Sequence, residues 1–525
     1  MSAKKKGKKS PNSPAVSSGS ASPDWVVLKA IESPVESENA QSSDRFATLA
    51  AYKAHLLAQV ETVNSRYHLP VVNDLKTVRI CVNMIVRMES KNVQRVMDST
   101  LSFADAVVVV NTEIKREKDD DTTDKFLAWY NQHQMPGQVH RRRWTNDFGI
   151  NRTEALRLAE TFFPPSGGIW YVFFIDADDY ACGPAGYPQP FDLDKKSLTL
   201  DSYKCDKRSG DLAYDYTCMV RYDPAKLWEW KEDRHEYLSE WHTVGAWSAA
   251  RGKMFGSYIK SNREGYRAKN KMTYLEDALC FEKRITANPK NGRARYYAGQ
   301  SWRDSRHITT ADIYLFMVDA DKTDWTIETY EVLHEVIEHG TQKMALKRYL
   351  ECAEVSTWAE ENYCALKEAH CLYDAECLPL VARLNKARED KTPIDPVIQD
   401  KAEELERKSL ELLFRAMNFR PERFEAPFYI IELWRAKKSN HRLIYDTFKR
   451  FVDLPYPQDQ LFVDANIHRW RLIERIKTSA HHCGDIAMFE QISMRLLKMT
   501  EIPDKTRGVI RDELVKFGRP GMYKI

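Results

Sequence analysis

The sequence predicts an α/β domain on a mainly parallel sheet, followed by an all-α region. Strand-like apolar runs alternate with helical patterns from about residue 77 to residue 175, which is typical of a largely parallel sheet. The run Val107–Val110 is apolar throughout, as expected for a strand buried on both faces. After about Tyr274 nearly all of the chain has helical spacing. A chain of 525 residues is long enough for two or three such domains.

Composition excludes several classes of protein. Lys and Arg number 79 against 76 Asp and Glu, and this near-balance argues against a nucleic-acid binder. No apolar run approaches the roughly 20 residues of a membrane span, and no secretory signal is visible at the N-terminus. The ten cysteines contain no C-x-x-C pair, which favours free thiols in a reducing compartment. We therefore expect a cytoplasmic protein with no transmembrane segment.

The N-terminal residues are predicted to precede the folded domains. Residues 1–43 begin with the basic stretch Lys4–Lys9 and continue with Ser, Pro, Gly and Ala, so we expect a disordered leader. Apolar residues near helical spacing then predict a helix over Ser43–His68. Residues 44–76 are thus interpreted as an N-terminal helix and linker.

The alternation that follows defines the predicted α/β domain, residues 77–283. Its strands are predicted at Val78–Val86, at Ala106–Val110, near Val139 and at Ile169–Ile175. Its helices are predicted at Ser90–Phe103, Asp124–His133 and Asn151–Phe163. Residues 284–525 are predicted to be helix pairs with a degenerate period near 34 residues, which is typical of tetratricopeptide-like repeats. Such repeats suit binding of a partner protein or formation of a homodimer.

The sharpest local feature is Asp176-Ala177-Asp178, with Asp179 beside it, directly after the fourth predicted strand. Open α/β sheets bind ligands beyond the carboxyl ends of their parallel strands. Paired carboxylates there can hold a hard divalent cation, which neutralises a diphosphate. Two further D-x-D copies, Asp192–Asp194 and Asp319–Asp321, are interpreted as a loop and a helix end.

Several segments, in this order, resemble family 2 glycosyltransferases of the subgroup with C-terminal tetratricopeptide-like helices. The resemblance rests on Val78–Glu89, Trp144–Leu156, Asp176–Asp178, Trp228–Trp230, His235–Leu238, Tyr274–Asp277, Asn288–Ser301 and Leu454–Val463. It implies a GT-A nucleotide-sugar-binding fold and sugar transfer with inversion. One departure concerns the second strand, where the family usually has Asp and this chain has Asn111.

The resemblance implies roles for individual residues. A divalent ion, Mn²⁺ or Mg²⁺, would be held by Asp176, Asp178 and His235, with His242 as a rival to His235. The nucleotide-sugar donor, expected to be a UDP-sugar, would contact Arg87, Glu89, Asn111, Asp147, Arg152 and Asp176. Asp147 could instead cap the helix that follows it. The catalytic base would be Asp277, with Glu276 one residue away as the alternative.

The predicted function is therefore a metal-dependent, inverting hexosyltransferase that moves a sugar to a hydroxyl on a glycan or protein. One alternative is a sugar-1-phosphate nucleotidyltransferase, although Met84–Ser90 lacks the Gly-rich loop of those enzymes. A second alternative is a catalytically inactive GT-A sheet that serves as an interaction scaffold. The altered residue Asn111 favours this alternative, and the intact pair Asp176 and Asp178 opposes it.

Overall fold

The computed structural model describes residues 49–518 except 73, 114–119, 165–167, 211, 242–246, 266, 318–326, 356–363, 437–439 and 458–462. The predicted leader, His242 and the copy Asp319–Asp321 lie outside these residues. The sheet and the helices described below belong to one compact unit that begins at Lys53, except for residues 49–52 at the start of the first helix.

One large sheet organises the α/β part. Its strands are β1 (Glu61–Asn64), β2 (Val78–Val86), β3 (Ala106–Glu113), β4 (Gly137–Arg143), β5 (Ile169–Phe174), β6 (Asp179–Cys182), β7 (Ser202–Ser209), β8 (Leu212–Arg221) and β11 (Arg251–Ser261), with β12 (Val463–Asp464) from the C-terminal half. Strands β9 (Trp228–Lys231) and β10 (Tyr237–Glu240) form a separate hairpin. The order in the large sheet is β1-β4-β3-β2-β5-β8-β7-β11-β6, and β12 pairs with β8.

The centre of the sheet is parallel. Strand β2 pairs in parallel with β3 and β5, and β3 pairs in parallel with β4. Side chains of β3 alternate between two apolar layers: Val107 and Val109 pack in one layer, and Ala106 and Val108 pack in the other. The α/β class and the buried parallel strands predicted from the apolar runs are therefore confirmed.

Four helices accompany this sheet: α1 (Leu49–Ala58), α2 (Val93–Thr100), α3 (Thr122–His133) and α4 (Phe148–Thr161). Phe126 and Trp129 of α3 share an apolar layer with Val107. Leu156 and Ala159 of α4 belong to the opposite layer. Helices therefore cover both faces of the parallel strands.

The helix predicted over Ser43–His68 is too long in the described part. Helix α1 ends at Ala58, and Glu61–Asn64 instead forms strand β1. Strand β1 pairs antiparallel with β4, with Thr62 opposite His140. The β-branched side chains Thr62 and Val63 favour a strand, and pairing to β4 outweighs the helical spacing of this short segment.

The second half of the large sheet was not predicted, and the segment Trp228–Trp230 on which the resemblance partly rests lies in β9 of the separate hairpin. Strand β8 is antiparallel to β5 and β7, whereas β11 is parallel to β7 and antiparallel to β6. These strands mix polar and apolar residues because their faces have different environments. In β7, for example, Tyr203, Cys205 and Lys207 are buried and alternate with half-buried residues.

The C-terminal half is helical, as predicted. Its helices are α5 (Thr273–Ala287), α6 (Gly292–Asp304), α7 (Thr310–Met317), α8 (Ile327–His339), α9 (Thr341–Val355), α10 (Cys364–Leu372), α11 (Leu378–Glu389), α12 (Pro396–Phe419), α13 (Glu425–Ala436), α14 (His441–Phe448), α15 (Leu472–His482), α16 (Ile486–Leu497) and α17 (Asp504–Phe517). Within the described ranges, none of these helices has both the length and the apolar composition that crossing a membrane requires. The tetratricopeptide-like period stays a prediction.

Candidate functional site

The candidate site lies where β5 ends. After Phe174 the chain leaves the sheet and presents Asp176, whose two carboxylate oxygens have different partners. Oδ1 accepts a hydrogen bond from Nη2 of Arg152 at 2.6 Å, and Oδ2 accepts one from Nζ of Lys207 at 2.8 Å. Asp176 is thus oriented by one cation from α4 and one from β7.

Lys207 reaches the site because of the alternation in β7. It occupies a buried position of that strand and forms a second ion pair, to Oδ2 of Asp179 at 2.7 Å. Its ammonium group also lies 4.7 Å from the ring centroid of Tyr216 on β8. Since a buried lysine requires nearby negative charge, Lys207 and the aspartates stabilise one another.

Asp178 faces a loop that precedes α5. Its Oδ2 accepts from the backbone N–H of Gly265 at 3.0 Å. A Cβ added at Gly265 would lie 3.0 Å from that oxygen and 3.1 Å from Oε1 of Glu89. The carboxylates of Asp178 and Glu89 are therefore close neighbours, and the tight contact explains why residue 265 has no side chain.

Burial and charge act differently on the three aspartates. Burial alone would raise the pKa of Asp176, but Arg152 and Lys207 outweigh it and hold that pKa well below its usual range. Burial and the charge of Asp176 raise the pKa of Asp178. Burial raises the pKa of Asp179 to about 7, against the opposing effect of Lys207. The site therefore holds more carboxylate than its two cations neutralise.

The His-Glu pair contributes its glutamate to this site. Oε1 of Glu236 accepts from Nε of Arg152 at 2.7 Å, so Arg152 bridges Glu236 and Asp176. The guanidinium of Arg152 also lies 5.3 Å from the ring centroid of Trp230. The position of Arg152 is thus determined by two carboxylates and one aromatic ring.

His235 lies against aromatic side chains. Its ring stacks on Tyr297 of α6 at 4.3 Å between centroids and contacts Phe281 of α5 at 5.7 Å. Burial lowers the pKa of His235, against the opposing effect of Asp277 and Glu236. The imidazole therefore packs against the first two C-terminal helices.

Asp277 and Glu276, the two predicted bases, differ in environment. Asp277 is buried, and its Oδ1 accepts from Nε of Arg234 at 2.9 Å and from Nη2 of Arg267 at 2.6 Å. Both guanidinium groups also lie over the ring of Phe148, at 5.4 and 4.8 Å. Glu276 is half-buried and accepts from Asn270 at 3.5 Å.

The remaining predicted donor contacts have partners within the domain. Asp147 caps α4, with Oδ1 accepting from the N–H of Ile150 at 2.8 Å, and burial raises its pKa. Nδ2 of Asn111 donates to Thr123 at 3.0 Å, in a side chain that is only 1% exposed. Nη1 of Arg87 donates to the backbone carbonyl oxygen of Thr112 at 2.8 Å, and Nδ2 of Asn92 donates to Oε2 of Glu89 at 2.7 Å.

Two residues of the site were missed at the sequence level. Lys207 could have been found as a cation at an inward position of an alternating strand, but β7 itself was not predicted. Glu236 lies in the segment His235–Leu238, in which the resemblance implies a role only for the imidazole of His235. Both contact residues that were predicted, namely Asp176 and Arg152.

The residues can be tested against the divalent ion that the resemblance implies. Mg²⁺ is often bound by one or two carboxylates together with substrate phosphates, and Asp176 and Asp178 match that description. His235 does not, because its ring packs against Tyr297 and Phe281. Within the described part of the chain, no group of three or more His, Cys, Asp or Glu side chains is arranged to hold a metal.

Comparisons with known proteins add little to this geometry. No family model matches the sequence, and no curated protein matches it. Among solved structures, the chain is similar to S. aureus TarS, at 10% identity and a TM-score of 0.23, over 55% of this chain and 52% of that chain. The match thus spans about half of the TarS chain. The topology itself shows a mixed α/β protein with a parallel sheet centre.

Proposed function

We propose that this protein is a cytoplasmic, inverting glycosyltransferase that uses a nucleotide-diphosphate sugar, in the first instance a UDP-sugar. A hydroxyl oxygen of a glycan or protein acceptor would attack C1 of the donor sugar. The bond from C1 to the diphosphate oxygen would break as a base takes the hydroxyl proton. The helical half would bind the acceptor, a partner protein or a second copy.

One observation carries the proposal. Asp176 and Asp178 follow β5, the fourth strand in chain order of the parallel group, at the edge where open α/β sheets bind ligands. Arg152 and Lys207 hold Asp176 ionised and in one orientation. A half-buried pair of carboxylates of this kind supports binding of a cation together with an anionic substrate.

Asp176 and Asp178 would hold Mn²⁺ or Mg²⁺, which when bound neutralises the diphosphate and stabilises it as a leaving group. The role of the surrounding residues is to position these two carboxylates. Arg152 and Lys207 orient Asp176, and the N–H of Gly265 orients Asp178. Glu236 in turn orients Arg152.

Asp277 is our first candidate for the base. Arg234 and Arg267 both bond to Oδ1, so that the carboxylate is held rigidly at the start of α5. Glu276 is the second candidate, on the same helical turn and more exposed. Two single substitutions, Asp277→Asn and Glu276→Gln, distinguish the two candidates.

The direct test is to incubate the full-length protein with a panel of nucleotide sugars and to measure release of nucleoside diphosphate. We expect release with Mn²⁺ or Mg²⁺ that is abolished by a chelator and restored by the metal. The variant Asp178→Ala should lose it, whereas Asp192→Ala, in a D-x-D copy outside the site, should retain it.

Other outcomes distinguish the alternatives. Release of pyrophosphate from a nucleoside triphosphate and a sugar 1-phosphate would replace this proposal by nucleotidyl transfer. Absence of both turnover and donor binding with every nucleotide sugar would favour a scaffold, in line with the buried amide of Asn111. Turnover in the presence of the chelator would exclude a metal from the proposed mechanism. Arg152 and Lys207 would then be the cations proposed to neutralise the diphosphate.

A further inference from the structure

A cavity lies on the other side of the sheet from the acidic site. Its volume is about 370 Å³, within the range of about 300–1,000 Å³ of small-molecule pockets. It lies between the sheet and the segment after β12, which continues into α15. The proposed glycosyltransferase mechanism uses none of the residues that line it.

The floor of the cavity is one row of side chains across four strands. Lys260 on β11 lies opposite Tyr180 on β6 and opposite Arg208 on β7, and Arg208 lies opposite Ala213 on β8. Successive residues of a strand point to opposite faces of a sheet. Asp179 and Lys207 meet in the acidic site, so their neighbours Tyr180 and Arg208 face the cavity.

The opposite wall comes from the helical half. Ala465, Asn466 and Arg469 line it, directly after β12, which pairs with β8 through Val463 and Ala213. Ile467–Arg471 forms a π-helical turn, a distortion that is frequent at functional sites. The pairing of β12 with β8 therefore positions Arg469 across from Arg208 and Lys260.

The lining is cationic and aromatic. It contains Arg208, Lys260 and Arg469 and, among the described residues, no acidic side chain. The guanidinium of Arg208 lies 3.7 Å from the ring centroid of Tyr258. The rings of Tyr180 and Tyr187 are 5.2 Å apart, and Tyr187 is 49% exposed at the entrance.

We propose that this cavity binds an anionic saccharide, a sugar ring that carries a phosphate or carboxylate group. Lys and Arg side chains bind such anions through charge-assisted hydrogen bonds. Tyrosine rings supply flat apolar surface for the ring together with a hydroxyl group. The proposal does not depend on the proposed glycosyl transfer, because the cavity and the acidic site lie on opposite faces of β6 and β7.

The test is calorimetric titration of the full-length protein with glucose 6-phosphate and with glucuronate. The first sugar carries a phosphate group and the second a carboxylate group, so the two titrations show which anion is bound. Neutral glucose and inorganic phosphate serve as controls. We expect saturable binding of at least one anionic sugar and weaker or no binding of both controls. Lys260→Gln and Arg469→Gln should each weaken that binding about tenfold or more, since hydrogen bonds to charged groups contribute about 1.5–3 kcal/mol.

Two matched variants locate the binding. Arg442→Gln removes an exposed arginine of α14 that lies outside the lining and should leave the affinity unchanged. Asp178→Ala should also leave it unchanged, and a loss in that variant would place the ligand in the acidic site and overturn the proposal. Thermal unfolding verifies that each variant folds. If Lys260→Gln does not fold, the test rests on Arg469→Gln, because Arg469 is partly exposed.

Three further results would overturn the proposal. They are the absence of saturable binding by both anionic sugars, equal affinity for inorganic phosphate, and an affinity that neither Lys260→Gln nor Arg469→Gln changes. None of them bears on the release of nucleoside diphosphate from a nucleotide sugar, so the two proposals can fail separately.

Discussion

Two carboxylates, the half-buried Asp176 after β5 and the buried Asp277 on α5, each receive hydrogen bonds from two cationic side chains, yet their surroundings differ. Arg152 and Lys207 at Asp176 are shared with further carboxylates, those of Glu236 and Asp179. At Asp277, both guanidinium groups converge on the one oxygen Oδ1.

The difference shows how similar ion pairs can serve different ends. At the β5 end, uncompensated negative charge and burial raise the pKa of Asp178 and of Asp179, a condition that an added cation would relieve. At α5, one carboxylate is fully compensated and fixed in direction. The first arrangement is suited to binding a cation, and the second to presenting an oriented oxygen.

The largest effect is expected from a substitution of Asp277, whose carboxylate is held by two arginines. Asp277→Asn keeps an oxygen acceptor for Arg234 and Arg267 but cannot take a proton. We expect transfer to fall by about 10²–10⁴-fold, the usual contribution of a general base, with unchanged donor affinity. Steady-state kinetics and donor titration measure both, and Glu276→Gln is the comparison. Weaker donor binding in Asp277→Asn would reassign Asp277 to the donor site.

Lys207→Met removes one of the two cations at the β5 end, where negative charge is already in excess. It leaves the half-buried Asp176 and the buried Asp179 with one cation fewer, and breaking a buried pair such as Lys207 and Asp179 costs about 3–5 kcal/mol. The free energy of unfolding, from urea denaturation, should fall by that amount. Lys204→Met, on the opposite face of β7, is the control and should change it much less. An equal loss in both variants would contradict the pairing described for Lys207.

His140 sharpens the comparison, because burial acts on it without a nearby carboxylate. Burial lowers the pKa of His140 from 6.5 to about 4. Between these values the unfolded chain binds a proton that the folded protein does not. The contribution of His140 to stability is therefore complete above pH 6.5 and is lost as the pH falls toward 4.

A shift of this size corresponds to about 3 kcal/mol in full. Denaturation at pH 7 and at pH 4.5 should show that the wild type loses about 2–3 kcal/mol more than His140→Gln. A wild type and variant that lose stability in parallel would show that His140 is protonated in the folded state.

The smallest effect separates the two arginines on Asp277. Arg234 is buried with 8% of its side chain exposed, whereas Arg267 is 40% exposed. Exposed ion pairs contribute about 0–1 kcal/mol, so Arg267→Gln should lower the free energy of unfolding by no more than that. Arg234→Gln should lower it by several times as much. Equal effects would mean that solvent does not screen Arg267.

Patterns that depend on local chemistry were predictable. The apolar runs of β2, β3 and β5 led to the parallel sheet, and the polar end of β5 led to Asp176 and Asp178. The capping role of Asp147 was also expected, since a side-chain oxygen before a helix has a nearby backbone donor. In each case the signal lies within a few residues.

Features that depend on distant partners were not predictable. Strand β7 brings Lys207 to Asp176 across 31 positions of sequence, and β7 has no continuous apolar run to announce it. Likewise, nothing local distinguishes Glu236 from His235 as the partner of Arg152. Strand β1 was taken for helix because four residues are too few to establish a period.

The pairing of β12 with β8 has a consequence for a fragment that lacks the C-terminal half. Strand β5 covers β8 only at Met219–Arg221, and β12 covers the other end at Leu212 and Ala213. Without the C-terminal half, that end of β8 would expose unsatisfied backbone donors and acceptors, which template aggregation. A fragment cut before the helices should therefore self-associate.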